Sequence, residues 1–95
     1  MIRSFRCPET QTLFERRKPS RRFPADIHRR AISKLLMIHA AVELDDLRVP
    51  PSNHLEALSG DREGEHSIRV NDKWRICFQW LDGNAFEVEL TNHYG

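Results

Sequence analysis

Two runs in the C-terminal half of the chain alternate apolar and polar residues. In the first, Ile68 and Val70 face one way and Ser67 and Arg69 the other; in the second, Trp74, Ile76, Phe78 and Trp80 share a face opposite Arg75, Cys77 and Gln79. A period of two predicts strands with one buried face. An antiparallel pairing that keeps the apolar sets together sets Val70 against Trp74 and Ile68 against Ile76, which requires the three-residue connection Asn71-Asp72-Lys73. The same register puts Arg69 opposite Arg75. Like charges so opposed cost roughly a few tenths to 1 kcal/mol, and the pair becomes favourable if an anion binds between them. On this pattern the loss of Arg75 is expected to leave stability little changed or slightly raised.

The rest of the chain predicts elements around this hairpin. Asp82-Gly83-Asn84 is a turn, and parity favours a three-residue loop that sets Trp80 against Phe86, Phe78 against Val88, Ile76 against Leu90, Cys77 against Glu89 and Arg75 against Thr91. Pro8 and Glu9 suit the first turn of a helix through about Arg17, with Leu13 and Phe14 on its apolar side. Pro24-Ala25-Asp26 opens a longer helix to about Ala41. Its apolar stripe is Ile27, Ala31, Leu35, Ile38 and Val42, broadened by Ile32, Leu36 and Ala40, with Arg29, Arg30, Ser33 and Lys34 on the outer side. His28 and His39 sit at the stripe's edge as structural residues. Met1 to Arg6 reads as a short edge strand, Glu43 to Leu47 as a turn or partial helix, Pro50 to Asn53 as a rigid turn, and His54 to Leu58 as a short extended segment. The order predicts a single α+β domain over residues 1–95. It has two layers: an N-terminal strand and two helices packed on a twisted, mainly antiparallel sheet. The uncovered face is expected to carry Ser67, Arg69, Arg75, Thr91 and His93.

Composition changes this picture in one respect. Charged residues make up 31% and hydrophobic residues 39% of the chain, as in ordinary globular proteins. No run approaches the length of a membrane helix and no secretory signal opens the sequence, so a cytoplasmic protein with Cys7 and Cys77 as free thiols is expected. The net charge of +1 hides an asymmetry: residues 1–34 carry ten Lys/Arg against three Asp/Glu, and residues 35–95 carry five against eleven. The basic half contains Arg16, Arg17, Lys18, Arg21 and Arg22, a cluster able to meet phosphates or an acidic partner, or simply to be solvated.

Two arginines, a histidine and a tyrosine brought to one sheet face suit a phosphodiester. Arginine offers a planar fork to non-bridging oxygens and stabilises charge growing in the transition state, and histidine moves a proton near neutral pH. With RNA the 2′-hydroxyl is the nucleophile, so a base, an acid and charge stabilisation suffice. The competing reading pairs Arg69 and Arg75 with Glu87 and Glu89 as surface charges. No metal-ligand spacing, glycine-rich nucleotide loop or nucleophile elbow is visible in the sequence, and no cofactor is expected.

The series Ser59-Gly60-Asp61-Arg62-Glu63-Gly64, Ser67-Ile68-Arg69-Val70, Trp74-Arg75-Ile76-x-Phe78 and the ending Asn92-His93-Tyr94 resembles the HigB-type toxins of the RelE superfamily, and the opening Met1-Ile2-Arg3-Ser4-Phe5 is similar to that family's start. The resemblance extends over the whole chain. It implies a RelE-like fold and a ribosome-dependent, metal-independent mRNA endonuclease of a bacterial type II toxin–antitoxin pair. Such a toxin cuts A-site mRNA on the 70S ribosome and arrests translation. Its implied partner is a HigA-like helix-turn-helix antitoxin, through which alone it reaches operator DNA. Arg75 falls on the family's phosphate-stabilising arginine. Asn92, His93 and Tyr94 fall on its C-terminal Asp-Tyr-His, with the acid replaced by an amide and the other two exchanged. RNA or phosphate contacts are then expected at Arg69, Arg62, Lys73 and Glu56, and ribosome or antitoxin contacts at Arg16, Arg17, Lys18, Arg21 and Arg22. Glu56 and Ser59 stand where many members have a histidine and a lysine, with His54 two residues earlier. These departures leave open a non-cleaving module that keeps the fold and binds ribosome or antitoxin.

Overall fold

Pro8 and Glu9 start α1 (Pro8–Arg16) as the sequence predicts, and Arg17 ends it in the left-handed region at φ 56°. Leu13 is fully buried, while the Phe14 ring tilts against Phe5 and His39. The computed structural model describes residues 1–92. After Pro24 the chain makes one 3-10 turn, Ala25–Ile27, before α2 (His28–Ala40). The two histidines are structural: the Nδ1 of His39 accepts the Ile2 amide at 3.1 Å and His28 bonds the Phe23 carbonyl.

Ile27, Ala31, Leu35 and Ile38 form the buried stripe of α2. Three expectations about this helix fail. Val42 is 75% exposed, because the helix stops at Ala40 and Ala41 turns to extended backbone. Leu36 and Ala40 are exposed, standing across the helix axis from the stripe at 100° per residue. Lys34 is buried rather than outward: it lies seven residues after Ile27 and four before Ile38, inside the stripe, and its Nζ donates to Asn53 Oδ1 at 2.5 Å. Asn53 is itself fully buried and donates to the Leu47 carbonyl at 3.1 Å, which ties α2 to the two short 3-10 turns Leu44–Arg48 and Pro51–Asn53.

The sheet has four antiparallel strands in the order β1 (Glu56–Ala57), β2 (Glu65–Arg69), β3 (Arg75–Leu81) and β4 (Asn84–Thr91). The β2–β3 register is the predicted one, with Ile68 opposite Ile76 and Arg69 opposite Arg75. Asn71 fixes the turn: its Oδ1 accepts the amides of Lys73 at 2.9 Å and Trp74 at 2.8 Å. The second hairpin keeps the lower part of its predicted register, Arg75 to Thr91, Ile76 to Leu90 and Cys77 to Glu89, but Trp80 faces Ala85 rather than Phe86. The loop has two residues, Asp82 and Gly83, both at positive φ (51° and 78°), the conformation Asp-Gly favours because its twist matches the strands. The parity that a longer loop was expected to keep is restored inside β4 by a bulge at Glu87, whose φ is 53°. The N-terminal segment is less than a full strand: Ile2 and Phe5 make isolated parallel bridges to Ala85 and Val88 on the outer edge of β4.

Helices and N-terminal segment cover one sheet face, where Ile68, Val70, Ile76, Phe78, Val88 and Leu90 meet Leu13 and the α2 stripe. The opposite face was expected to be open, yet Ser67 and Cys77 are fully buried and Thr91, Arg75 and Glu65 are no more than 7% exposed. It is closed by charge. Arg6 forks onto Glu65 at 2.9 and 3.3 Å, and Arg62 bridges Glu65 at 3.2 Å and Glu89 at 3.0 Å. Burial beneath this network pushes the Cys77 thiol up to about 11, and both cysteines are free.

Glu65→Gln should lower stability by roughly 1–3 kcal/mol, less than the ~3–5 kcal/mol for a fully buried pair, because Arg6 remains partly hydrated. Urea unfolding with an unchanged m-value measures it. Cys77 should resist iodoacetamide at pH 8 in the native protein and react fast in urea, since a buried thiol with a raised pKa offers no thiolate; mass spectrometry after timed alkylation checks this.

Candidate active site

Arg75 begins β3 next to the turn, where the strand pairing aims its side chain at the polar face. It does not stand in solvent. Its Nε donates to Ser67 Oγ at 2.8 Å, and its Nη2 to the His54 carbonyl at 2.5 Å and the Ser67 carbonyl at 3.4 Å. Its Nη1 lies 3.8 Å from Glu56 Oε1, on the exposed edge strand. The guanidinium therefore runs sideways across β2 to β1, held in one orientation. Removing Arg75 leaves the fully buried Ser67 without these bonds inside a packed face, which argues against the expectation of unchanged or improved stability.

Arg69 and Arg75 share the predicted cross-strand position, but their side chains diverge: Arg69 bonds the Asp72 carboxylate within the turn. The acids foreseen for the pair are engaged elsewhere, Glu89 with Arg62 and Arg6, while Glu87 serves the bulge. Of the residues expected to meet RNA, Lys73 is exposed at the turn, Glu56 faces Arg75, and Arg62 is joined to the carboxylates of the closing network. The structure brings Arg75 and Glu56 together, turns the Arg69 side chain into the hairpin turn and holds Arg62 in the ion-pair cluster with Glu65 and Glu89. Ser59 and Asn92 are exposed, and His93 and Tyr94 lie outside the described residues. Arg16 at the end of α1, and Arg17, Lys18, Arg21 and Arg22 on the connection between the helices, are all exposed, with Arg17 stacked 5.3 Å over Phe14.

Sequence reasoning missed a second basic region. An open cleft between α2 and the β2–β3 turn is lined by Arg29, Arg30 and Lys34 from the helix and by Arg69 and Lys73 from the hairpin. The position of Lys34 within the apolar stripe was the available signal. Among the described residues no cluster of three or more His, Cys, Asp or Glu is placed to hold a metal ion, and no helix is long and apolar enough to cross a membrane.

Comparison with known proteins bears on this arrangement. A family model described as the RelE-like toxin of the type II toxin–antitoxin system HigB matches residues 3–93. Toxin HigB-1 of Vibrio cholerae is 38% identical over 93 residues, covering 98% of both chains. Endoribonuclease HigB of Proteus vulgaris is 35% identical over 94 residues, covering 99% of this chain and all of that protein. In three dimensions the E. coli protein YafQ, solved as a mutant, superposes with a TM-score of 0.60 over 98% of this chain and 92% of its own, at 14% identity, a likeness of fold alone. With an α+β sandwich of that shape, and a matching family model over nearly its whole length, the chain belongs to the HigB-like family of RelE-type toxins of type II toxin–antitoxin systems.

Proposed function

We propose that the protein is an endoribonuclease toxin that cuts mRNA on the ribosome without a metal ion and is neutralised by a helix-turn-helix antitoxin. The carrying observation is Arg75, a guanidinium held through Nε and Nη2 by Ser67 and the His54 carbonyl, with Nη1 at the exposed edge strand. A preorganised cation of this kind stabilises the charge that develops on a phosphorane and needs no reorganisation when it does so. The name endoribonuclease carried by the relative from Proteus vulgaris supports the same chemistry. RNA brings its own nucleophile, the 2′-hydroxyl, so the remaining work is proton transfer. His93 and Tyr94 are assigned to it through the family resemblance, with Asn92 beside them. Glu56 holds the Arg75 guanidinium before substrate arrives, and Arg69 and Lys73 flank the phosphate path. The exposed Arg16, Arg17, Lys18, Arg21 and Arg22 contact the ribosome or the antitoxin, and Arg62 supports the RNA-facing surface from within its ion-pair cluster.

The near-complete burial of Arg75 favours a second reading, a module that keeps the fold and blocks the ribosome without cutting. One experiment tests both readings and a second separates them. Expression of the chain alone should arrest growth, and co-expression of the neighbouring antitoxin gene should restore it; normal growth with folded protein present defeats both readings.

On programmed ribosomes with chelator present, Arg75→Lys and Arg75→Ala should cut the single-turnover cleavage rate by roughly 10²–10³-fold. His93→Ala or Tyr94→Ala should cost roughly 10²–10⁴-fold, less than additively if the two act as a unit. Circular dichroism must show each variant folded. Arrest without any cleavage by the wild type selects the blocking module, and cleavage unaffected by Arg75→Lys removes Arg75 from the chemistry.

A further inference from the structure

The cleft between α2 and the β2–β3 turn gathers five cations, Arg29, Arg30, Lys34, Arg69 and Lys73, against two carboxylates, Asp26 and Asp72. Asp72 is bound to Arg69. Two of the cations on the helix side rest on neutral acceptors: the buried Lys34 on the amide oxygen of Asn53, and the exposed Arg30, through Nη1, on the Val70 carbonyl at 3.4 Å. Among the described residues neither forms an ion pair. Lys34 is only 8% exposed, and its described side-chain partner is the neutral Asn53 amide. Burial, and then the charge of Arg30, hold its ammonium below the usual lysine range. Such a cluster repels itself in the free protein and gains most from an incoming anion.

We infer that this cleft is a second phosphate subsite, taking a backbone phosphate of the RNA strand away from the scissile one. The inference rests on the RNA-cleaving reading of the neighbouring face. Continuity through Arg69 favours RNA over an acidic protein segment: its strand position is opposite Arg75, while its side chain lines the cleft. A strand whose scissile phosphate sits at Arg75 therefore crosses the turn and meets Arg30 and Lys34 further along. The subsite reads charge and spacing rather than base identity.

The test uses the full-length protein and a short fluorescent single-stranded RNA made uncleavable by 2′-O-methylation, followed by anisotropy across salt concentrations. Arg30→Gln and Arg29→Gln are exposed changes that keep the Lys34–Asn53 contact; Lys34→Met probes the floor if it folds. Each lost phosphate contact should weaken binding about threefold or more at moderate salt and flatten the slope of log K against log salt by about 0.7. A single neutral methylphosphonate linkage, moved along the RNA, should weaken the wild type at one position outside the scissile linkage and leave Arg30→Gln insensitive there. Equal affinity and slope in the double variant Arg29→Gln/Arg30→Gln overturn the inference, as does a flat methylphosphonate scan. Displacement of bound RNA by a glutamate-rich peptide whose own binding depends on Arg30, together with a flat scan, assigns the cleft to a protein partner instead. Cleavage by the wild type with cleft variants unchanged in binding defeats this inference alone. Binding in the cleft without cleavage on ribosomes defeats the nuclease reading alone, and no binding by the wild type defeats the subsite.

Discussion

Everything on the polar side of the sheet depends on four charges that close its middle. Glu65 and Glu89 come from strands, whereas Arg6 arrives from the N-terminal segment beyond β4 and Arg62 from the loop before β2. Desolvating four ionised groups is costly, and their mutual attraction repays it only with good geometry. The forked contact of Arg6 with Glu65 and the bridging position of Arg62 supply that geometry. Beneath them Cys77 is sealed off. Arg75 stands at the turn end of the same face, where it reaches the edge strand. The seal also makes both ends of the chain's fold interdependent, since residue 6 and residue 89 meet in one cluster.

The opposed arginines illustrate how a cross-strand conflict is resolved without a ligand. Cα pairing puts Arg69 against Arg75, but both have flexible stems, and each finds an acceptor in a different direction. Their juxtaposition is therefore no evidence of an anion. The stronger electrostatic case lies on the helix side, where Lys34 and Arg30 rest on neutral oxygens and, among the described residues, form no ion pair.

Much of this was legible because periodicity encodes faces. The alternation from Ile68 to Trp80 yields the correct register, and Ile27, Ala31, Leu35 and Ile38 yield the correct helix stripe. What failed has physical causes that a period cannot carry. Asp82-Gly83 takes its preferred two-residue turn, and the sheet corrects parity with a bulge at Glu87, a choice between two local solutions of similar cost. Lys34 was placed outward by its charge, although its position lay within the stripe, and its partner Asn53 is nineteen residues away in a turn. The closed polar face was illegible because Arg6 and Arg62 come from outside the strands, so no alternation reports them. The polar residues of β2 and β3 looked solvated when they were in fact capped.

Glu56 raises the question of how a buried, engaged Arg75 could receive a phosphate. The four interactions of Arg75 described here are unequal. Those to Ser67 are buried, that to the His54 carbonyl is partly buried, and together they fix the plane of the guanidinium, while the contact with Glu56 is long, at 3.8 Å, and the carboxylate is 58% exposed. An exposed ion pair of that kind contributes about 0–1 kcal/mol. On the proposed nuclease reading, a phosphodiester approaching over β1 meets the weakest of these described contacts, and the carboxylate can rotate into water as it does so. The buried bonds meanwhile keep Nη1 aimed at the vacated position. Among the contacts described here, the short ones are those that orient the guanidinium.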